Sequence, residues 1–576
     1  MIVFADKIEM QNRLFAELSR MYALEAPMYD KSLAVNTVCN RVVCDLLAQM
    51  HVGLSVSDEQ LEKTSGERHG AIRIGRADEY RWIGRFFACF AMEPHNFYDM
   101  TSVGSKSQPV IATAFRSVVH PEHRVFSSLL QTSYFDDETR ERVETLLAKR
   151  TVFSNRAKEL IERSELQGGL STDDADALIG EATGRIFKWT GRARDHALYT
   201  DLCEAGFKIA ADIACFEAHH LNHLTPNTFC MDLYTAAMKR CLGEIDVAEF
   251  RERATRALEA IRIDGGADFV RLSFKHLSQD DIDGFGRGHA TDERVSDLVE
   301  RLVDSLGEER FDLTKLPHSG FKDATEGPAS DTPILLRQDA FRALTEAVTF
   351  SEEDGTEIEA SHTARFGEIE QRFYATTPNG RELYDACLAE AEAARAVEAD
   401  LASKDHAAYE AACSAHFAAF PKTLRELVDR GLVFARFAAT EAGIAARGTL
   451  RSTDLPTLLE GGYVRCEGLR YEDFLPISAA GIFASNLNQY GTASTAAAKP
   501  VYTQAMLEEI LGKPIVDANA VYQGLQSASL LETYAELGLL DRLGVEERLE
   551  LETAASACPA GSIDRFSERS AAAARV

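Results

Sequence analysis

Residues 362–372 read HTARFGEIEQR, the clearest strand pattern in the chain. Adjacent residues alternate in character along it, which predicts a β-strand because successive side chains point to opposite faces of a sheet. On that strand Glu368, Glu370 and Arg372 would share one face. Two carboxylates and a guanidinium need partners if that face is covered. The alternative is an exposed face on which the charges form cross-strand ion pairs.

A second strand-like stretch lies near the N-terminus, at residues 66–75, GERHGAIRIG. It is short, bounded by glycine and contains β-branched residues, which favours a strand. His69 and Arg73 would point to the same face. A neutral imidazole is a good ligand for iron, zinc or copper, and a guanidinium beside it can clamp a carboxylate through two parallel hydrogen bonds. The alternative is a surface histidine next to a solvated arginine.

Residues 219–226, HHLNHLTP, hold three histidines in five positions, although the chain has only 15 histidines in 576 residues. His223 lies among leucines, which indicates a position near the core boundary. A buried histidine must be neutral or paired, and metal ligation is one way to satisfy it. A hydrogen-bonded core histidine is the alternative. Two histidines and one carboxylate from three distant strands would form a site that leaves metal positions open for substrate and dioxygen.

Helical periodicity dominates the rest of the chain. The expected fold class is therefore α+β, with many helices around a minority sheet. The longest predicted helical stretches are 7–50, 77–92, 137–220, 245–310 and 379–418.

Composition and charge exclude several classes of protein. Hydrophobic residues make up 45% and charged residues 27%, as in ordinary globular proteins, and the net charge is −29. A field of that sign repels phosphate backbones and anionic lipids, so neither nucleic acid nor a membrane surface is expected as a partner. The N-terminus lacks a signal-peptide core and no apolar run reaches about 20 residues, so a cytoplasmic location is predicted.

Several common catalytic motifs are missing from the sequence. A P-loop, a nucleophile elbow of the Gly-x-Ser-x-Gly type and a His-Glu-x-x-His zinc motif are absent. The 11 cysteines include no Cys-x-x-Cys pair, which disfavours a zinc ribbon or a thioredoxin-like site. The scattered histidines and carboxylates above are what remains to carry chemistry.

Five blocks of sequence together resemble the 2-oxoadipate dioxygenase/decarboxylase family, the hydroxyglutarate synthase group of the vicinal-oxygen-chelate (glyoxalase-like) superfamily. They occur in the family's order and extend over most of the chain. The blocks are ERHGAIRIG (67–75), HLNHLTPNT (220–228), PILLRQDAF (333–341), HTARFGEIEQR (362–372) with the following TTPNGRELYD, and YEDFLPISAAGIFASNL (471–487).

The resemblance implies a vicinal-oxygen-chelate β-sheet core embedded in helices and a non-haem Fe(II) centre. The metal histidines of the family fall on His69 and His223. The metal glutamate lies in FGEIEQR, where an aromatic-x-Glu-aliphatic pattern favours Glu368 and leaves Glu370 as the alternative.

The same resemblance implies oxidative decarboxylation of a 2-oxo acid by dioxygen, most simply 2-oxoadipate to 2-hydroxyglutarate and CO₂, in lysine degradation. His69, Arg73 and His223 would meet the substrate, and Arg73 would bind one of its carboxylates in the catalytic site. Ile477 and Ser478 fall where the family lines its substrate pocket.

The sequence departs from the family at three places. Asn227 stands where the family usually has arginine, and Phe373 where it usually has glycine. Residues 232–320 form a longer connection than the family pattern predicts. The expected division is 1–231 for the N-terminal helices and the first part of the sheet core, 232–320 for an insertion, 321–555 for the rest of the core with C-terminal helices, and 556–576 for a flexible tail.

Two other functions remain open from the residues. A glyoxalase-like metal-dependent lyase or isomerase would use the same sheet without dioxygen. A non-catalytic binding protein could keep the fold, although the intact His69, His223 and Glu368 argue against a decayed site. The sequence predicts no particular oligomeric state.

Overall fold

Helices exceed strands in the described part of the chain, so the predicted α+β class is confirmed. The computed structural model describes residues 3–65, 68–103, 107–117, 123–274, 277, 279–316, 321, 325–341, 344–365, 367–398, 401–475 and 493–556. The strands are β1 (His51–Val52), β2 (Arg68–Ile74), β3 (Glu93–Asp99), β4 (Val110–Arg116), β5 (His123–Leu130), β6 (Arg192–Arg194), β7 (Leu221–Pro226), β8 (Gly286–Arg287), β9 (Leu336–Ala340), β10 (Leu344–Ser351), β11 (Glu357–Arg365), β12 (Glu368–Arg372), β13 (Ala435–Ala439) and β14 (Val464–Gly468).

The largest sheet has five strands in the order β3-β4-β5-β2-β7. Strand β2 lies parallel to β5 and antiparallel to β7, and the pairs β3–β4 and β4–β5 are antiparallel. Strands β4, β5 and β7 are buried along their whole length, as expected for strands covered by helices on both faces. The sheet therefore lies inside the molecule.

A smaller pair, β9 and β12, meets the five-stranded sheet at one corner. The two strands are antiparallel, with Glu370 opposite Gln338. Just after β7, Asn227 forms a parallel bridge with Glu370, and the backbone N–H of Thr228 donates to the Glu370 carbonyl at 2.8 Å. This contact places the side chains of β12 beside those of β2 and β7. The other sheets are β11-β10-β6, β13-β14 and β1-β8.

Residues 362–372 do not form the single strand predicted for them. Strand β11 ends at Arg365 and pairs with β10, whereas β12 begins at Glu368 and pairs with β9. A Cβ atom on Gly367 would lie 1.8 Å from Cε1 of Phe341, so the backbone approaches that ring more closely than any larger residue allows. The break at this glycine sends the two halves of the stretch into different sheets.

The predicted long helix at residues 7–50 is confirmed as two helices, α1 and α2. The side chain of Asp6 accepts from two N–H groups of the first turn of α1, and Pro27 opens α2 at a position where its missing N–H costs nothing. Both helices contribute buried apolar side chains to the core that covers the large sheet.

The helices surround the five-stranded sheet and share one hydrophobic core with it. They are α1 (Lys7–Glu25), α2 (Pro27–Met50), α3 (Asp58–Ser65), α4 (Ala77–Ala88), α5 (Asp137–Ala148), α6 (Asn155–Gln167), α7 (Thr172–Glu181), α8 (His196–Glu204), α9 (Lys208–Cys215), α10 (Met231–Cys241), α11 (Val247–Asp264), α12 (Ala267–Ser273), α13 (Gln279–Asp283), α14 (Asp292–Leu306), α15 (Pro378–Val397), α16 (Leu401–Lys404), α17 (His406–His416), α18 (Leu424–Asp429), α19 (Glu441–Ala445), α20 (Leu455–Glu460), α21 (Gln504–Leu511), α22 (Ala518–Glu536) and α23 (Val545–Ser556).

The predicted insertion, residues 232–320, is largely helical where it is described. Helices α10, α11 and α14 pack on one another and on α2. The buried faces of α11 and α14, which include Leu258 and Leu302, belong to the same core as the N-terminal helices. This stretch is therefore packed against the body that carries the large sheet.

None of the helices in the described ranges combines the length and the apolar character that crossing a bilayer requires. The cytoplasmic location stays a prediction. The predicted flexible tail, residues 556–576, falls outside the described residues from 557 onward.

Candidate metal centre

Two neighbouring strands place the predicted histidines on one face of the large sheet. In the antiparallel pairing of β2 with β7, His69 lies opposite Thr225, and Ala71 lies opposite His223. Arg73 follows His69 by four residues and shares its face, because side chains two apart on a strand point the same way. The predicted grouping of His69, Arg73 and His223 is thus present in the structure.

Strand β12 adds a carboxylate to the two imidazoles. Oε2 of Glu368 lies 3.2 Å from Nε2 of His69 and 3.6 Å from Nε2 of His223. The three side chains are only 3–5% exposed. Two ligands bound about 2.1 Å from one ion lie roughly 3.0–3.4 Å apart, close to these spacings. The three residues form a group able to hold a metal ion.

The electrostatic surroundings of Glu368 distinguish it from the alternative ligand, Glu370. Among the described residues, the ion-pair partners of Glu368 are the two histidines, and Thr225 Oγ1 donates to it at 3.1 Å. Glu370 instead accepts a fork of hydrogen bonds from Arg372, at 2.7 and 2.9 Å. The buried charge of Glu370 is therefore already neutralised, whereas that of Glu368 faces two imidazoles. This contrast favours Glu368, whose role as a ligand stays a prediction.

Glu370 has a different relation to the cluster, which the sequence did not indicate. Its Oε2 lies 2.9 Å from Nδ1 of His69. A carboxylate only accepts, so Nδ1 carries the proton and Nε2 points toward Glu368. Metal-binding histidines characteristically donate their second N–H to such a partner. The predicted shared face of Glu368, Glu370 and Arg372 is confirmed as a covered face, since all three residues are buried.

Two of the three candidate donors, His223 and Glu368, have protonation states that suit metal binding. Burial lowers the pKa of His223 to about 4, and the nearby charges of His69 and Arg73 act in the same direction, so its ring is neutral near pH 7. Burial opposes ionisation of Glu368, but His223 and His69 hold its pKa below the ordinary value. A neutral imidazole and an ionised carboxylate are the forms that bind metal. Burial disfavours protonated His69, yet Glu370 and Glu368 raise its pKa above the ordinary value, so a metal bound at Nε2 must displace a proton from that nitrogen.

A layer of buried arginines and carboxylates lies behind the cluster. Arg372 donates to the backbone carbonyl of Asp473 at 2.8 Å, and Arg116 lies 3.1 Å from the Asp473 carboxylate. Arg124 pairs with Glu472 and lies 3.5 Å from Glu370. Three cations and three carboxylates balance in this layer, whereas the charge of Glu368 has no arginine among its described ion-pair partners and faces His69 and His223.

The chain reaches the cluster again just before the predicted substrate-pocket residues. The ring of Phe474 lies 4.9 Å from that of His69, edge to face. Ile477 and Ser478 fall outside the described residues, so their predicted place in the substrate pocket stays a prediction.

The three histidines of residues 219–223 have three different environments. His223 belongs to the cluster with Glu368. His220 lies 3.2 Å from Asp212, a residue of α9 that also accepts a 2.7 Å hydrogen bond from Arg73. His219 lies 3.2 Å from Glu79 instead. The sequence predicted a metal role for His223 and gave no sign that Asp212 would meet Arg73.

Comparison with known families agrees with the pattern of blocks. The sequence model of the family described as 2-oxoadipate dioxygenase/decarboxylase matches residues 14–250 and 294–486, which contain all the predicted site residues. A curated relative of that description from Pseudomonas putida is 34% identical over 544 residues, covering 92% of this chain and 96% of the relative. Another from Escherichia coli is 31% identical over 531 residues, covering 90% and 97%.

Solved structures give the same result. The crystal structure of hydroxyglutarate synthase from Pseudomonas putida, in complex with 2-oxoadipate, matches with a TM-score of 0.64 at 32% identity. The match covers 93% of this chain and 99% of that one. The relation to the wider vicinal-oxygen-chelate superfamily stays a prediction.

Proposed function

This chain belongs to the 2-oxoadipate dioxygenase/decarboxylase family, and from that premise we propose that it is an Fe(II)-dependent dioxygenase that oxidatively decarboxylates a 2-oxo acid. The proposed substrate is 2-oxoadipate. One molecule of 2-oxoadipate and one of dioxygen give one 2-hydroxyglutarate and one CO₂, which balances all atoms.

The observation that carries the proposal is the buried carboxylate of Glu368 between two imidazoles. Two histidines and one carboxylate are the donor set typical of non-haem iron oxygenases, and they leave other metal positions open. His69, His223 and Glu368 would hold the ion. When bound there, ferrous iron supplies a chelation site for the keto oxygen and carboxylate of the substrate and a means of activating dioxygen.

The remaining residues orient the donors and the substrate. Glu370 accepts a hydrogen bond from Nδ1–H of His69 and so directs Nε2 toward the proposed metal position. The guanidinium of Arg73, on the same sheet face, binds a substrate carboxylate and sets its orientation. The aromatic ring of Phe474 against His69 supplies an apolar wall that helps to exclude water.

The family model passes over residues 251–293, the interval between its two matched ranges. These residues lie inside the proposed 232–320 insertion. Of the helices in this interval, α11 packs on α2, whereas α12 lies beside Asn227 and Arg372, at the ends of β7 and β12. The insertion is proposed to be a structural addition, since none of the three proposed metal donors belongs to it.

The test is dioxygen uptake by protein loaded anaerobically with Fe(II), with 2-oxoadipate added and CO₂ and 2-hydroxyglutarate quantified. The proposal expects one dioxygen consumed for each CO₂ and each 2-hydroxyglutarate formed. His223→Gln should abolish both iron binding and uptake. His219→Gln is the matched control, since His219 is equally buried in the same motif and lies outside the cluster, and it should retain the iron.

Two results would contradict the proposal. Turnover of 2-oxoadipate without dioxygen would indicate a lyase or isomerase on the same sheet. Iron binding that persists in His223→Gln would place the metal elsewhere.

A further inference from the structure

Arg73 is held by a carboxylate from outside its own sheet. Its Nη1 donates to Oδ2 of Asp212, on helix α9, at 2.7 Å. The two side chains are 3% and 1% exposed. A hydrogen bond between ionised groups in such a dry environment is strong and directional. The guanidinium of Arg73 is therefore fixed beside the candidate metal centre before any substrate binds.

Asp212 is itself held from several directions. Its Oδ1 lies 3.2 Å from Nε2 of His220 and 3.1 Å from Nε2 of His362. Asn222 Nδ2 lies 3.4 Å from Oδ2. On the far side of His362, Nδ1 lies 2.9 Å from the hydroxyl of Tyr199. Side chains of β7, of β11 and of the residue just before β7 thus surround this carboxylate of α9, and Tyr199 of α8 contacts one of them.

The group Asp212, His220 and His362 has the donor types of a second metal site. The ion-pair partners of Asp212 differ from those of Glu368 in the group His69, His223 and Glu368. Asp212 already carries the guanidinium of Arg73, whereas the described ion-pair partners of Glu368 are imidazoles. A divalent ion at Asp212 would lie next to a buried cation in a medium of low dielectric constant, where like charges repel strongly. The cluster is better suited to holding Arg73 than to holding a metal.

We propose that Asp212 is a positioning residue that aims the guanidinium of Arg73 at the substrate, and that His220 and His362 hold Asp212 in place. The inference rests on the proposed function, because it assigns Arg73 a carboxylate of the 2-oxo acid as its ligand. A guanidinium has donors on more than one edge and can engage two carboxylates at once. With Asp212 on one edge, the side chain binds substrate without first being ordered, which improves affinity more than the rate of the chemical step.

The test compares Asp212→Asn with wild type as Fe(II)-loaded full-length protein acting on 2-oxoadipate. We expect KM to rise at least about tenfold, kcat to stay within about threefold, and one iron per chain to be retained. Arg73→Lys should show the same split. The double variant should add less than about threefold to the worse single variant, because both changes remove one shared interaction.

Two further variants keep the result interpretable. Asp232→Asn is the matched control, because Asp232 also pairs with a buried arginine, Arg337 at 2.9 Å, and it should leave both constants within twofold. Tyr199→Phe removes only the hydroxyl at His362 and is milder if Asp212→Asn folds poorly. It should raise KM by about threefold with kcat unchanged.

A KM within twofold of wild type, or a lower one, in both Asp212→Asn and Tyr199→Phe would overturn the positioning role. So would a second equivalent of metal in the wild type that Asp212→Asn loses, which would make the cluster a metal site. If wild-type protein turns over no 2-oxo acid, the proposed function fails by itself. The positioning role is then decided by crystals of Asp212→Asn, where an undisplaced Arg73 side chain would overturn it.

Discussion

Oε2 of Glu370 lies 2.9 Å from Nδ1 of His69, on the side of the ring that faces away from Glu368 and His223. Two carboxylates separated by one residue on β12 therefore have different relations to the same imidazole. Glu368 faces Nε2, and Glu370 fixes the ring from behind.

The first prediction separates the two glutamates. Glu368→Gln should abolish stoichiometric iron binding, because it removes the charged donor. Glu370→Gln should weaken iron affinity by about 10–100-fold without abolishing it, as loss of an outer hydrogen-bond partner typically does. Equilibrium dialysis against Fe(II) under anaerobic conditions measures both.

The Glu370→Gln variant also leaves Arg372 buried without its full counter-charge, so its thermal unfolding should be recorded in parallel. Normal iron binding in Glu368→Gln, with none in a folded Glu370→Gln, would reverse the assignment.

The second prediction concerns Arg73. Arg73→Lys should raise KM for 2-oxoadipate about tenfold or more and change kcat little, since a lysine cannot form the two parallel hydrogen bonds of a guanidinium. Steady-state dioxygen uptake measures both constants. An unchanged KM with a large fall in kcat would instead mean that Arg73 interacts only in the transition state.

The third prediction is a pH dependence of stability. Glu79 is buried, and although burial opposes its ionisation, His219 and Arg150 lower its pKa from 4.5 to about 2. A depressed folded-state pKa contributes stability above the unfolded-state value, and this is lost as the pH falls from about 4.5 toward 2. The contribution is about 3 kcal/mol.

Urea unfolding of wild type and Glu79→Gln across this pH range measures the effect. The difference in unfolding free energy between the two proteins should be largest above pH 5 and should shrink on acidification. A difference that stays constant with pH would mean that Glu79 stabilises the fold by packing alone.

The fourth prediction concerns Gly367, the residue before Glu368. Gly367→Ala would place a Cβ 1.8 Å from Cε1 of Phe341, so the ring or the strand must move. Overpacking of this kind costs about 1–3 kcal/mol, and iron affinity should fall with it because Glu368 is adjacent. Gly180→Ala, in a helix with no atom within 4 Å of the new Cβ, is the control and should stabilise by up to about 1 kcal/mol. An unchanged melting temperature in Gly367→Ala would contradict the prediction.

The sequence predicted the elements that carry the site better than their arrangement. A short, glycine-bounded stretch with β-branched residues identified β2, and His223 was singled out by its place among leucines on β7. Alternation says nothing about which strand lies alongside, so the change of sheet at Gly367 could not be predicted. That change depends on the ring of Phe341, which follows β9 and is brought to Gly367 by the pairing of β9 with β12.

The sequence also could not predict contacts between residues that lie far apart in the chain. Asp212 lies in a helix, 139 residues from Arg73, and only tertiary packing brings them together. Glu368 and Glu370 are equivalent by strand periodicity. They become distinct once the fork of Arg372 occupies Glu370.

The hydrogen bond from Thr228 N–H to the Glu370 carbonyl fastens the end of β7 to the middle of β12. The chain between Thr228 and Glu370 therefore begins and ends at the same hydrogen bond. Because β9 also pairs with β12, the helical stretch 232–320 that precedes β9 can change in length during evolution while His223 and Glu368 stay in register. The same property makes the exposed turn at Gly307 and Glu308 a suitable place to graft a reporter or an affinity domain without disturbing the candidate metal centre.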